Sequence, residues 1–319
     1  WRPKSIVLEV DPPLHDRTRG VMARILSPQA MRKIRPHFEA RAARLADALV
    51  ERRRFDAIPD LAEAYPLMVF PDAMGLQQEG RENLLLFSTM VFNSFGPQNK
   101  IYKASLTAAE PALEWILAQC SRDRLAPDGF GAQVFDHMDA GDLTEEEAPI
   151  IVRSLLTAGL DTTVNGLGSA LYAFAGNPDQ WRALREDPSL IKPAFDEVLR
   201  WESPVQTFFR TASRDVEVDG AAIPKDAKVL LFLGAANRDP RKWPAPESFD
   251  IARRPVGHVA FGTGIHRCVG QLLARLEADV MLAALIERVE RFELTGPPVR
   301  KLNNTLRALE SLPVEAVPI

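Results

Sequence analysis

Cysteine is scarce in this chain: two among 319 residues, Cys120 and Cys268, far apart in sequence. Two distant thiols make no disulfide framework, so the fold must rest on a core, and a reducing compartment is expected. Long hydrophobic runs are missing too. No uncharged stretch is longer than Thr162 to Pro178, which is interrupted by Asn, Ser and Gly and falls short of the ~18 to 20 apolar residues of a membrane span. No sign of charge prevails, since 39 Lys+Arg stand against 43 Asp+Glu; a phosphate-tracking surface would push that balance basic, so nucleic acid is not an expected partner. No fixed-period repeat, low-complexity tract or targeting pattern is visible, and a cytoplasmic protein is the expectation. The chain begins Trp1-Arg2-Pro3, which reads as the downstream part of a longer polypeptide. What is present is an ordinary globular composition, 46% hydrophobic and 26% charged, enough to bury a large core.

Helical periodicity dominates. Arg32 to Arg54 and Leu84 to Phe92 carry apolar residues three and four apart, and a capping Thr144 followed by Glu147 opens a pattern running through Ile150, Ile151, Ser154, Leu155, Ala158 and Thr162. Further helices are expected at Pro178 to Glu186, Leu190 to Trp201 and Val269 to Val289. Short strands are expected at Val216 to Gly220 and Lys228 to Phe232, followed by a proline-punctuated stretch. The fold class is therefore mainly α with small β-sheets, in a single folded unit over residues 1–319.

That stretch leads into Phe261-Gly262-Thr263-Gly264-Ile265-His266-Arg267-Cys268-Val269-Gly270. Three glycines give the backbone freedom for a tight loop, and an amphipathic helix starts just after the cysteine, where a helix N-terminus favours a thiolate. A packing cysteine needs no such frame; Cys120 is read as a small buried hydrophobe.

Phe261 to Gly270 resembles the haem-binding loop of the cytochrome P450 family, FGxGxHxCxG, at every defined position. Ala158-Gly159-Leu160-Asp161-Thr162-Thr163 is similar to that family's oxygen-activation segment, Glu197-Val198-Leu199-Arg200 to its ExxR pair, and Asp11 to Arg19 to its haem-clamping helix. The resemblance implies the P450 fold, a triangular helical prism, without the usual N-terminal sheet and first helices of roughly 90 residues. It implies a haem-thiolate monooxygenase using haem b and O2, with Cys268 as the iron ligand and Phe261 and Gly262 framing it. His15, Arg19, Arg210 and His266 then match donors to the haem propionates, and Ala158 and Gly159 line the haem-facing groove. Asp161 and Thr162 become the acid-alcohol pair that relays protons. Glu197 and Arg200 become a buried structural network with Arg254. His258 stays open between support of the loop and plain surface.

Helical spacing puts Ser154 on the stripe of Ala158 and Thr162. With Arg2, Ser5, Phe92, Phe95 and Phe208, it makes the chain resemble bacterial monooxygenases of para-substituted benzoates, notably 4-methoxybenzoate O-demethylases. The acid would lie between phenylalanines with its carboxylate on Arg2 and the serines. No nucleotide-binding glycine pattern or iron-sulfur ligand set is present, so electrons are expected from NAD(P)H through a flavin reductase and a [2Fe-2S] ferredoxin. Arg267, Arg32, Lys33 and Arg35 would form the docking face of a monomeric enzyme. Three other readings stand beside this one: a P450 for another small hydrophobic substrate, a haem-binding sensor or carrier without turnover, and a hydrolase using Cys268 with His266 or His258 as base.

Overall fold

The computed structural model describes residues 4–319. Helices α1 (Leu14–Ile25) and α2 (Pro28–Arg52) open it. Ser27 accepts the amide of Ala30 and Pro28 stands at the first helical position, a standard start signal. Strand β1 (Arg54–Asp56) follows, and then α3 (Ala64–Met74), α4 (Asn83–Ser94), α5 (Lys100–Ala118) and α6 (Phe130–Asp139). Next come α7 (Glu147–Ala158), α8 (Asp161–Gly176), α9 (Pro178–Glu186) and α10 (Ile191–Glu202). The cap expected at Thr144 forms reciprocally: its hydroxyl accepts from the Glu147 amide at 3.3 Å while the Glu147 carboxylate accepts from the Thr144 amide at 2.9 Å.

Small sheets occupy the remainder. Strands β2 (Thr207–Thr211) and β5 (Lys228–Phe232) pair antiparallel, Phe208 opposite Leu231, and β3 (Val216–Val218) pairs with β4 (Ala221–Ile223). A short helix α11 (Leu233–Ala236) precedes the proline-rich stretch, and α12 (Gln271–Ile286) follows the cysteine loop. The chain closes with β6 (Val289–Leu294), β7 (Val299–Lys301), β8 (Ala308–Ser311) and β9 (Pro313–Pro318). Strands β1, β9 and β6 form one antiparallel sheet, and β7 pairs with β8.

One continuous apolar core joins these elements. Helix α8 lies inside it: Val164, Leu167, Ala170, Leu171, Ala173 and Phe174 are all buried, the pattern of a helix apolar all round. Helix α2 packs on α12, and α4 on α5. Among the described residues no helix is long and apolar enough to cross a membrane.

The helical pattern from Thr144 does not run unbroken through Thr162. It stops at Gly159 and restarts after Leu160, whose φ and ψ are −109° and −66°. Phe70 of α3 packs directly on the backbone at this break, since a Cβ on Gly159 would lie 2.3 Å from its ring.

Candidate active site

Four elements converge on Cys268. Its amide donates to the Phe261 carbonyl at 2.8 Å, closing the loop, and Gly262 and Gly264 adopt φ of 69° and 71°, which only glycine takes without strain. Burial pushes the Cys268 thiol pKa up, against a bond from the Gly270 amide and the charges of Arg19, Arg275 and Arg267. Helix α12 begins three residues later. A metal would deprotonate the thiol outright.

The residues expected at the propionates come together. The rings of His15 and His266 meet edge to face with centroids 4.6 Å apart. Burial lowers the His266 pKa, as do the charges of His15 and Arg210, so Arg210 is close by. Arg19 reaches from α1 to donate to the Arg267 carbonyl. His15 Nδ1 sits 2.9 Å from Asp16 Oδ1, whereas His15 Nε2 and His266 Nδ1 are buried with no partner among the described residues. Orphaned ring nitrogens beside two guanidinium groups fit a ligand bearing carboxylates, and haem carries two. Helix α1 is held in place by Arg17, which grips Glu147 of α7 with both guanidinium nitrogens at 2.5 and 2.6 Å.

At the α7–α8 break the Thr162 hydroxyl donates to the Ala158 carbonyl at 3.1 Å. Asp161 is buried and accepts from Thr89 and from Asn165 Nδ2, each at 3.2 Å. Burial raises its pKa, only partly offset by Lys301 and by these two bonds. Thr89 and Asn165 were not singled out in the sequence; for Asn165 the signal was its spacing, one helical turn after Asp161.

Glu197 and Arg200 are fully buried. Arg200 Nε and Nη2 bond the two Glu197 oxygens at 2.7 and 2.8 Å, and its remaining donors reach the carbonyls of Asn237, Pro246 and Ser248. The third member of the network is Arg253, at 3.0 Å from Glu197 Oε1. Arg254 is exposed, with φ of 48°: the turn sends it outward, and two adjacent arginines look alike in sequence. From Asn237 the network continues to the amide of Val259, ahead of the cysteine loop. His258 supports the same loop, 3.4 Å from Asp196 through Nε2, while its Nδ1 accepts the Ala260 amide. With both ring nitrogens engaged, His258 does not stand free as a base for Cys268.

Phe92, Phe95 and Phe208 form a wall, with centroids 6.0 Å apart for the first pair and 5.4 Å for the second. Phe92 is buried yet, like Phe208, lies outside the continuous core. Arg210 covers the Phe208 ring at 5.9 Å. The serines are turned to their own backbone: Ser5 accepts the amides of Val7 and Leu8, and Ser154 donates to the Ile150 carbonyl at 2.8 Å. Arg2 lies outside the described residues. Arg153 is a buried cation among the apolar residues of α7, marked in the sequence only as a lone charge in an apolar run.

The family model described as Cytochrome P450 matches residues 130–315. The chain is 55% identical over 319 residues to cytochrome p450 CYP199A2 of Rhodopseudomonas palustris, covering 100% of this chain and 77% of that protein. To the 6-deoxyerythronolide B hydroxylase of Saccharopolyspora erythraea it is 33% identical over 310 residues, covering 95% and 76%. Among solved structures, Mycobacterium smegmatis CYP164A2 in the ligand-free state matches with a TM-score of 0.89 at 32% identity, covering 98% of this chain and 82% of that one. P450BioI in complex with an acyl carrier protein ligated with hexadec-9Z-enoic acid matches with a TM-score of 0.88 at 31% identity, covering 97% and 81%. Sequence identity along the whole chain and the same fold agree with the loop around Cys268, and the chain belongs to the cytochrome P450 family, monooxygenases that use haem, O2 and electrons from redox partners.

Proposed function

We propose that this monooxygenase inserts one oxygen atom of O2 into a small aromatic carboxylic acid, with 4-methoxybenzoate as substrate and O-demethylation as outcome. The observation that carries the reading is the wall of Phe92, Phe95 and Phe208, in which Phe95 meets both other rings while Phe92 and Phe208 lie outside the main core. A flat ring slides between aromatic side chains and is fixed in orientation there. The carboxylate would turn to Arg2 and the serines; Ser154 must then release the Ile150 carbonyl to donate to it.

Cys268 would bind the iron, His15, Arg19, Arg210 and His266 would hold the propionates, and Phe261 and Gly262 would frame the ring from the cysteine side. Haem, once bound, supplies the O2 activation and the oxidising power. The protein orients the methoxy carbon, excludes water and delivers protons: Asp161 holds one in a buried site, and Thr162, with Ala158 and Gly159 opening the helix, presents a hydroxyl. Two electrons and two protons convert O2 and the methyl ether into a hemiacetal and water. The hemiacetal falls apart to 4-hydroxybenzoate and formaldehyde. We assign the electrons to NAD(P)H through a reductase and a [2Fe-2S] ferredoxin, in a cytoplasmic monomer.

Titration of the ferric holoenzyme with 4-methoxybenzoate tests the reading, with methoxybenzene as a neutral control. A Soret shift at low acid concentration, with equimolar formaldehyde on turnover, is expected. A response to methoxybenzene and none to the acid would replace the carboxylate with a neutral aromatic substrate. A Soret band indifferent to both would remove the aromatic substrate altogether.

A further inference from the structure

One loop bonds both halves of the aromatic wall. On one side, the Nδ2 of Asn304 donates to the carbonyls of Asn93 at 2.9 Å and Pro97 at 3.0 Å, and its Oδ1 accepts from Asn99 Nδ2 at 2.8 Å. Its backbone amide donates to Asn93 Oδ1 at 2.8 Å, and the neighbouring Thr305 hydroxyl donates to the Phe92 carbonyl at 2.9 Å. These bonds seize the end of α4, which carries Phe92, and the turn from Phe95 to Asn99 that leads into α5. On the other side, the loop pairs with the segment entering β2: Gln206 donates to the Thr305 carbonyl and Arg307 to that of Pro204, both at 2.9 Å. Phe208 lies two residues beyond Gln206.

The fit leaves no slack. A Cβ on Gly96 would lie 2.4 Å from the Cβ of Asn304, so the turn and the loop touch without an intervening side chain. Asn93 and Thr305 are buried, where a backbone carbonyl or side-chain amide that loses its partner is costly. Asn303 holds the loop in shape by accepting the amides of Thr305 and Leu306, each at 3.0 Å. Asn304 is thus the side chain that crosses from this preformed loop to the α4–α5 turn.

We infer that Asn304 is a positioning residue: it latches the α4–α5 turn and so fixes Phe92 and Phe95 at their distance from Phe208. The inference rests on the proposal that these rings hold the substrate. When the latch opens, the α4 side of the wall moves relative to β2, the aromatic ring is held less tightly, and it leaves faster. Iron ligation is untouched, because neither Asn304 nor Gly96 belongs to the cysteine loop.

Two variants of the holoenzyme separate this from a general loss of folding. Asn304→Ala removes the bonds; Gly96→Ala keeps Asn304 and pries the two segments apart. Both should speed amide exchange at Phe95, Gly96 and Asn99 by roughly tenfold or more and 4-methoxybenzoate dissociation by about tenfold, raising KM more than they lower kcat. The carbon monoxide difference spectrum should stay that of the parent. Unchanged exchange, or faster exchange with unchanged dissociation, would overturn the latch. If the parent enzyme ignores the acid, the substrate reading fails, and the latch is judged on the release of 4-phenylimidazole, a ligand of the iron itself. Unchanged release from both variants would end it.

Discussion

Thr162 and Asp161 are adjacent but differently housed, and the difference divides their work. The Thr162 hydroxyl is partly accessible and bonds only the Ala158 carbonyl within its own helix break, whereas Asp161 is enclosed and held by Thr89 and Asn165. A hydroxyl can place a proton but not store one; a buried carboxyl with a raised pKa can. Thr162→Ala should therefore leave NAD(P)H consumption nearly intact while product formed per NAD(P)H falls several-fold. Asp161→Asn should slow consumption itself, by roughly ten- to a hundredfold. Because burial shifts Asp161 upward, its protonated form survives to higher pH than an ordinary carboxyl, and turnover should decline as pH rises through that pKa. Asp161→Asn should lose this decline. Full coupling in Thr162→Ala, measured as formaldehyde per NAD(P)H, would refute the division.

At the scale of elements, α12 carries both the loop's anchorage and an oddity. Glu277, in its buried face, has no partner for either carboxylate oxygen among the described residues, and burial pushes its pKa well up. Its field also raises Tyr65 on α3, after the larger effect of burial. A raised pKa means that the native state holds a proton the unfolded chain gives up, so stability falls as pH climbs above the ordinary carboxylate range and on towards the native pKa. Glu277→Gln removes that titration. Its apparent midpoint of thermal unfolding should gain on the parent between about pH 5 and pH 8, by an amount equivalent to ~1 to 3 kcal/mol; parallel pH profiles would show that Glu277 is not the source. Elements of this kind were partly legible in the sequence. Helix α9 appears at its expected bounds, Thr144 caps α7, and the loop around Cys268 was readable because glycine spacing and a ligand type are local properties. The break at Gly159 was not, since Phe70, which packs on the backbone there, comes from another helix. Arg253 was not distinguishable from Arg254, because the φ that separates them is set by the surrounding turn. Nor was Asn304, whose partners lie some 200 residues upstream.

Over the whole molecule, cations gather around the cysteine side while the net charge is only −4. The expected docking set is uneven in the structure. Arg35 is tied to Asp279 at 2.5 Å and to Glu39 at 3.3 Å, so much of its charge is already answered within the protein. Arg267 is exposed, and its backbone carbonyl, not its side chain, receives Arg19. An acidic ferredoxin drawn by long-range attraction would feel Arg267 more than Arg35, because a neutralised pair projects little field beyond a screening length of ~8 Å at physiological salt. Arg267→Glu should then slow reduction by ferredoxin about tenfold at low ionic strength, with the gap closing as salt is added, while the Soret response to 4-methoxybenzoate keeps its midpoint. Arg35→Ala should have the smaller effect of the two. Stopped-flow reduction across a salt series decides between them: equal rates for Arg267→Glu and the parent at every ionic strength would place the electron entry elsewhere on the surface, and a larger loss for Arg35→Ala would mean that its pairs open when the partner docks.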